Sequence, residues 1–244
     1  MKRLFLWASF CFVLTFHATV VPAANTNALL NTWETQVVGP GPDRATCYLT
    51  FSNDFTWTGY GVALKSLGPV TFDGTWSVDS RGRVTGGFTE FRNDGDVGGT
   101  FTATLNGTNK LRTKAITATH HPLKLNAVAL STPPDVSGTN WVGEVRTEGS
   151  INFQSYTFTA STNLPGWFDI TGSAIGQTGS YTISGGLVVT SDRRANGFLT
   201  SDFGSGGATS TWSFAGRFLP SLDSATFKGR QENGHTLIIH ASKQ

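Results

Sequence analysis

Two stretches of the 244-residue chain bring aromatic rings and glycines together at strand spacing. Trp57-Thr58-Gly59-Tyr60-Gly61 alternates rings with glycines, and Leu164-Pro165-Gly166-Trp167-Phe168 repeats the theme. A glycine in a strand leaves room for close approach of a ligand, and a flat ring offers a surface for a sugar or an apolar molecule. Trp57, Tyr60, Trp167 and Phe168 are therefore the candidate ligand-binding residues. A bulged barrel corner is the structural alternative for the same pattern. No cofactor or metal set accompanies them. His120 and His121 are adjacent, so strand alternation sends them to opposite faces, and His235 and His240 read as turn or surface residues. Asp94-Gly95-Asp96 carries oxygen ligands but runs on into Val97-Gly98-Gly99, without the bidentate Glu of an EF-hand loop.

A further pair of motifs points toward acyl transfer. Thr117-Ala118-Thr119-His120 and Gly204-Ser205-Gly206-Gly207 resemble the His and Ser motifs of chymotrypsin-like proteases, which are also built from two β-barrels. That resemblance implies a base beside Ser205, an orienting carboxylate and backbone donors around the nucleophile. The sequence departs from it: Phe203 stands where the family carries Gly, and Gly204 where it carries Asp. His120 also lies near the end of the first half, not well inside it. Both stretches read more simply as turns. The carboxylates are spread over turns and outward strand positions, so no glycosidase pair can be named. No catalytic residue is nominated.

Residues 1–24 differ in kind from the rest of the chain. Lys2 and Arg3 precede an apolar run from Leu4 to Val21, which ends at Pro22-Ala23-Ala24. Basic start, apolar middle and small-residue end predict a signal peptide removed after Ala23 or Ala24. Its loss changes the charge balance. The full chain has 18 Lys plus Arg against 16 Asp plus Glu. Without Lys2 and Arg3 the signs are equal, and no basic run remains, so nucleic acid is not an expected partner. Cys11 also leaves with the leader, so Cys47 has no partner for a disulfide. It lies in phase with Leu49 and Phe51, which predicts a small apolar filler pointing into a core.

The mature sequence is dominated by period-two alternation. Val70 to Asp79 puts Phe72, Trp76 and Val78 on one face, and Thr100 to Asn106 alternates without exception. Turn chemistry at Asp79-Ser80-Arg81-Gly82, Asn93-Asp94-Gly95-Asp96, Asn106-Gly107-Thr108-Asn109 and Asn233-Gly234 separates the runs. No helix is expected beyond one short turn near Asn27 to Leu30. An internal repeat is also legible. Trp33 and Trp141 are 108 residues apart, as are Tyr48 and Tyr156; Trp57 and Trp167 differ by 110. Gly87-Phe88 and Gly197-Phe198 also differ by 110, while Phe101 and Trp212, like Ile116 and Phe227, differ by 111. Eight runs fit the first half. Nine fit the second, two of them, at 180–184 and 187–190, belonging to one hairpin arm. Closing each set of strands removes its unpaired edges.

At Asn31-Thr32-Trp33 and Gly138-Thr139-Asn140-Trp141 the sequence resembles the calycin group, the lipocalins and avidins. These are eight-stranded antiparallel barrels, and lipocalins carry Gly-x-Trp on the first strand. The first copy has Asn for Gly, and the second has one residue too many. The resemblance implies a basic residue from a late strand stacked on each Trp, with Arg112 or Lys114, and Lys228 or Arg230, as the available choices.

The expected architecture is all-β: a signal peptide (1–24), a β-barrel (25–131), a linker at the paired prolines (132–136) and a second β-barrel (137–244). About eight antiparallel strands form each barrel, by internal duplication. A single sandwich shared by both halves is the second choice. Function is read as an exported, secreted or periplasmic, non-enzymatic binding protein for a small apolar molecule, a glycan or a protein. It uses no cofactor and does not associate with membrane after leader removal. The alternatives are an outer-membrane barrel of about sixteen strands and a secreted hydrolase whose residues meet only in the fold.

Overall fold

Alternation becomes sheet along almost the whole chain. In the computed structural model, residues 26–39, 44–147, 150–176, 179–202 and 209–244 are described. The expected leader, with Cys11, and the Gly204-to-Gly207 stretch lie outside them. A short 3-10 turn at Thr26–Ala28 leads into β1 (Thr32–Val38), β2 (Arg44–Phe51), β3 (Thr56–Ala63) and β4 (Gly68–Val78). Then come β5 (Val84–Phe91), β6 (Val97–Asn106), β7 (Lys110–Thr117) and β8 (Pro122–Ala129). The second series is β9 (Gly138–Thr147), β10 (Ser150–Ala160), β11 (Trp167–Gly176) and β12 (Gly179–Val189). It ends with β13 (Arg194–Asp202), β14 (Ser210–Phe218), β15 (Ser224–Gln231) and β16 (Thr236–Lys243). The runs at 180–184 and 187–190 are one strand, β12, with Gly185 and Gly186 inside it.

Each series closes on itself. β1 pairs antiparallel with both β2 and β8, and β9 with both β10 and β16, giving two eight-stranded barrels in tandem. A single sixteen-strand barrel and a shared sandwich are thereby both replaced. Closure satisfies the edge hydrogen bonds that an open sheet would leave unpaired. Along β7 the odd positions Leu111, Thr113, Ala115 and Thr117 are buried while Lys110, Arg112, Lys114 and Ile116 face out. Positive φ at Gly82, Gly95, Gly107 and Gly234 sits in the four hairpins that turn chemistry predicted.

The floors of the barrels correspond. Trp33 is fully buried and its indole N–H donates to the Leu29 carbonyl at 3.1 Å. Trp141 is likewise fully buried, packed on Phe158 and Phe218, with Val136 of the preceding linker in the same core. None of the four basic residues that the calycin resemblance offers stacks on a floor Trp. Arg112, Lys114, Lys228 and Arg230 are all exposed on the outer surface, because each occupies an outward position of its strand.

Candidate functional site

The four aromatic candidates are not gathered into one site. Trp57 points into the first barrel, stacked near Phe51 and Phe72 and edge-on to Phe101, with its N–H donated to the Gly87 carbonyl at 3.3 Å. Phe168 points into the second barrel. Tyr60 and Trp167 face outward and meet each other between the barrels, edge to face at 6.4 Å. The β2–β3 and β3–β4 ladders keep one register, so Gly59 and Gly61 mark no bulge. A Cβ at Gly59 would strike Leu49, and one at Gly61 would strike the Thr46 carbonyl and Cys47; these glycines admit neighbouring strands, not a ligand.

The outward aromatics instead build a seam. Tyr48, Val62 and Val188 are fully buried there, with Tyr60, Leu130, Trp167 and Phe198 against them. The Tyr48 hydroxyl donates to the Val189 carbonyl and the Tyr60 hydroxyl to the Pro165 carbonyl, both at 2.7 Å. Gly166 has φ of 70° and sits under the Tyr48 ring, where any side chain would collide with Tyr48 and the Val189 carbonyl. Glu34, buried, accepts from the Ser191 amide at 2.7 Å and the Ser191 hydroxyl at 2.8 Å. Burial pushes its carboxyl above the usual carboxylate range; the Ser191 hydrogen bonds oppose the shift and the charge of Asp192 adds to it. The Arg194 guanidinium reaches Gln36 at 3.0 Å. Apolar packing fastened by hydrogen bonds at several points fixes one barrel on the other.

The lumens leave little room. The first keeps a cavity of about 30 Å³ among Trp57, Phe88, Leu111 and Leu125, enough for a water or two. At its polar side Glu90 pairs with Arg92 at 2.6 Å, both nearly excluded from solvent. Cys47 lines the same space, and burial, with the Glu90 charge second, pushes its thiol well above the ordinary range, so it is not a nucleophile there. The second lumen holds about 10 Å³. It is filled by Phe158, Phe214 and Phe227, and by a Tyr156–Gln154–Tyr181 chain in which the Gln154 amide donates to Tyr181 at 3.0 Å.

Ligand-sized space lies outside the barrels. A cleft of about 530 Å³ opens where the barrels meet, with Arg44, Leu64, Lys65 and Leu67 on one wall and Ser213, Lys228, Gly229, Arg230, Gln231 and Glu232 on the other. The Ser213 hydroxyl donates across to the Leu64 carbonyl at 2.8 Å and so ties the two walls at the floor. A wider, shallower depression of about 740 Å³ runs over Ser155, Thr157, Gly172 and Ser173 of the second barrel and carries no ionisable side chain apart from Tyr156. Among the described residues no three His, Cys, Asp or Glu side chains converge as a metal site. His120 sits exposed in a turn with φ of 64°.

No protein-family model matches the sequence, and no curated protein matches it. Among solved structures, the chain is similar to a protein of unknown function from the DUF3598 family of Nostoc punctiforme. The identity is 11%, with a TM-score of 0.27, over 89% of this chain and 97% of that one. It is also similar to a mutant of the vaccine antigen transferrin-binding protein B from Haemophilus parasuis. There the identity is 10%, with a TM-score of 0.26, over 87% of this chain and 75% of that one. Likeness at this level does not bear on what this chain binds.

Sequence reasoning missed the cleft. Its cations come from positions 44, 65, 228 and 230, so no local run of Lys or Arg announces them. Lys228 and Arg230 drew notice only as partners for Trp141.

Proposed function

We propose that this chain is an exported, non-enzymatic binding protein that takes its ligand on the outside of its barrels, in the cleft they share. The contrast in available room carries the reading that the ligand sits outside the lumens: about 530 Å³ in the cleft against about 30 and 10 Å³ inside. The cleft is favoured over the shallower depression because it has two facing walls, one from each barrel. Small-molecule sites usually occupy ~300–1,000 Å³. The seam supports it further, since walls already fastened to each other lose little freedom on binding. Within this proposal the units are calycin-type barrels, each with a first-strand Trp on its floor, whose lumens have been given over to packing. Trp57 and Phe168 fill cores, and Tyr60 and Trp167 set the angle between the walls. The basic, apolar and small-residue pattern of residues 1–24 supports export to the periplasm or beyond.

A bulky side chain in the cleft tests the proposal. Leu64→Trp narrows the cleft without touching either lumen. In a calorimetric screen of glycans and hydrophobic dyes, a hit should lose at least tenfold in affinity in this variant. A dye that quenches tryptophan fluorescence in the wild type and in Leu64→Trp alike, but not in Trp57→Phe, would move the site into the first lumen and sink the proposal.

A further inference from the structure

Four cations converge on the cleft from two barrels. Arg44 opens β2 and Lys65 follows β3, and the two are held together because the Leu64 amide donates to the Arg44 carbonyl at 2.9 Å. Lys228 and Arg230 are two residues apart on β15 and share its outer face, roughly 7 Å apart along the strand. They lie opposite Ala215 and Ser213 of β14, and Ser213 is the residue tied to Leu64. One cation pair therefore stands on each wall, across a floor joined by a single hydrogen bond. Among the described residues none of the four is in an ion pair, whereas the exposed arginines Arg83, Arg146, Arg194 and Arg217 each have an Asp or Glu partner. Glu232 is the one acidic side chain in the lining, so the cleft carries a net charge of +3 from these side chains. Exposed cations without an ion pair among the described residues also lie on the outer face of β7 and β8, at Lys110, Arg112, Lys114 and Lys124, but there they line no cleft. The cleft sets four such cations around ligand-sized space. A concave site focuses such a field more strongly than a flat surface does.

We infer that the cleft binds an acidic oligosaccharide, its carboxylate or sulfate groups held by the Arg44–Lys65 pair on one wall and the Lys228–Arg230 pair on the other. The inference rests on the cleft being the binding site and adds the class of ligand. Charge on both walls calls for a ligand with at least two anionic groups. The remaining lining selects sugar over other anions: Gln231 and Glu232 offer acceptors for hydroxyl groups, and a carboxylate among the cations is at odds with a ligand that is only anionic. No exposed ring lines the cleft, since its one aromatic residue, Phe214, is 3% exposed. Single-stranded nucleic acid, which needs rings to stack its bases, lacks its platform here.

The test uses the whole mature chain and four probes: a sulfated tetrasaccharide, a uronate tetrasaccharide, an uncharged tetrasaccharide and a single-stranded tetranucleotide. Calorimetry at two salt concentrations should show one or both charged sugars binding, with affinity falling as salt rises. The two charged sugars tell a sulfate site from a carboxylate site. Arg44→Gln with Lys65→Gln, and separately Lys228→Gln with Arg230→Gln, should each lower the affinity at least tenfold; all four side chains are exposed, so the variants should fold normally. Affinity unchanged in either double variant overturns the inference, as does a tetranucleotide that binds as tightly as the charged sugars. If only the uncharged sugar binds, and Leu64→Trp abolishes that binding, the ligand class is wrong while the cleft stands. If a probe binds and Leu64→Trp has no effect on it, both fall.

Discussion

The two barrels share strand count, pairing order and a buried floor tryptophan, yet they use their repeated aromatics on opposite faces. Tyr48 faces out from the first barrel into the seam, whereas Tyr156, its counterpart 108 residues on, points into the second lumen. Trp57 fills the first lumen, and Trp167 lies outside the second. Ile116 is exposed and Phe227 buried. A one-residue change of register sends a strand's side chains to the other face. Cross-strand pairing locates the offset: Trp33 lies opposite Leu49 but Trp141 opposite Tyr156, so Tyr156 takes the inward place of Leu49, one residue on from Tyr48. The two shells are thus similar, and a one-residue offset between the sequence repeat and the strand pairing decides which copy turns a given ring outward. The interiors diverged with them: a Glu90–Arg92 pair beside a residual cavity in one, a tyrosine–glutamine chain in a filled core in the other.

The comparison can be broken most sharply at the floors. Trp33→Ala and Trp141→Ala should each cost about 3–5 kcal/mol, as truncation of a fully buried Trp does. The phenylalanine variants should separate the copies. The Trp33 N–H has an acceptor, while the Trp141 N–H is buried without a partner among the described residues. Trp33→Phe removes a buried hydrogen bond to the Leu29 carbonyl, which keeps the Asn31 amide as donor. Trp141→Phe removes an N–H that has no acceptor among the described residues. In chemical denaturation Trp33→Phe should therefore destabilise more, by about 1 kcal/mol. Equal losses would mean that the two floors are equivalent after all.

Next in size is the luminal polarity. Glu90→Ala removes the carboxylate paired with Arg92 in a nearly dry environment, and breaking such a pair costs about 3–5 kcal/mol in its barrel. Replacing both, as Glu90→Leu with Arg92→Met, should restore most of that stability. In the second barrel Gln154→Leu should cost less, about 1–3 kcal/mol, because it removes hydrogen bonds to neutral hydroxyls and not the partner of a charge. Scanning calorimetry of the variants checks the order. If Gln154→Leu costs more than Glu90→Ala, the interiors have been ranked wrongly.

The seam gives the smallest effect. Glu34 has a folded pKa above its unfolded one, so between those values the folded protein holds a proton that the unfolded chain releases. Its contribution is fully present below the unfolded value and is lost as pH rises through the folded value. Melting temperature should therefore decline over that mildly acidic window, and Glu34→Gln should flatten the decline. A profile identical in the variant would assign the slope to other groups.

Much of this was legible from single strands. The alternation of β4 and β6, the hairpin glycines and the Trp33–Trp141 spacing each depend on residues near in sequence or on a repeat, and all are seen in the fold. Cys47 was also readable, because phase with Leu49 and Phe51 fixes its face. The candidate site was readable only in part. Tyr60 and Trp167 do come together, but to join barrels, and nothing in either pentapeptide says which outer face will meet which.

By itself, then, the sequence determined an all-β chain folded twice over, since period-two burial and turn residues act over a few positions and do not depend on distant partners. Tertiary structure alone decided the seam and the cleft. Tyr48 meets Val189 across 141 residues, Glu34 meets Ser191 across 157, and the cleft's cations gather from both barrels. Contacts between two closed barrels follow from the shapes of their outer surfaces, and those exist only once each barrel has formed.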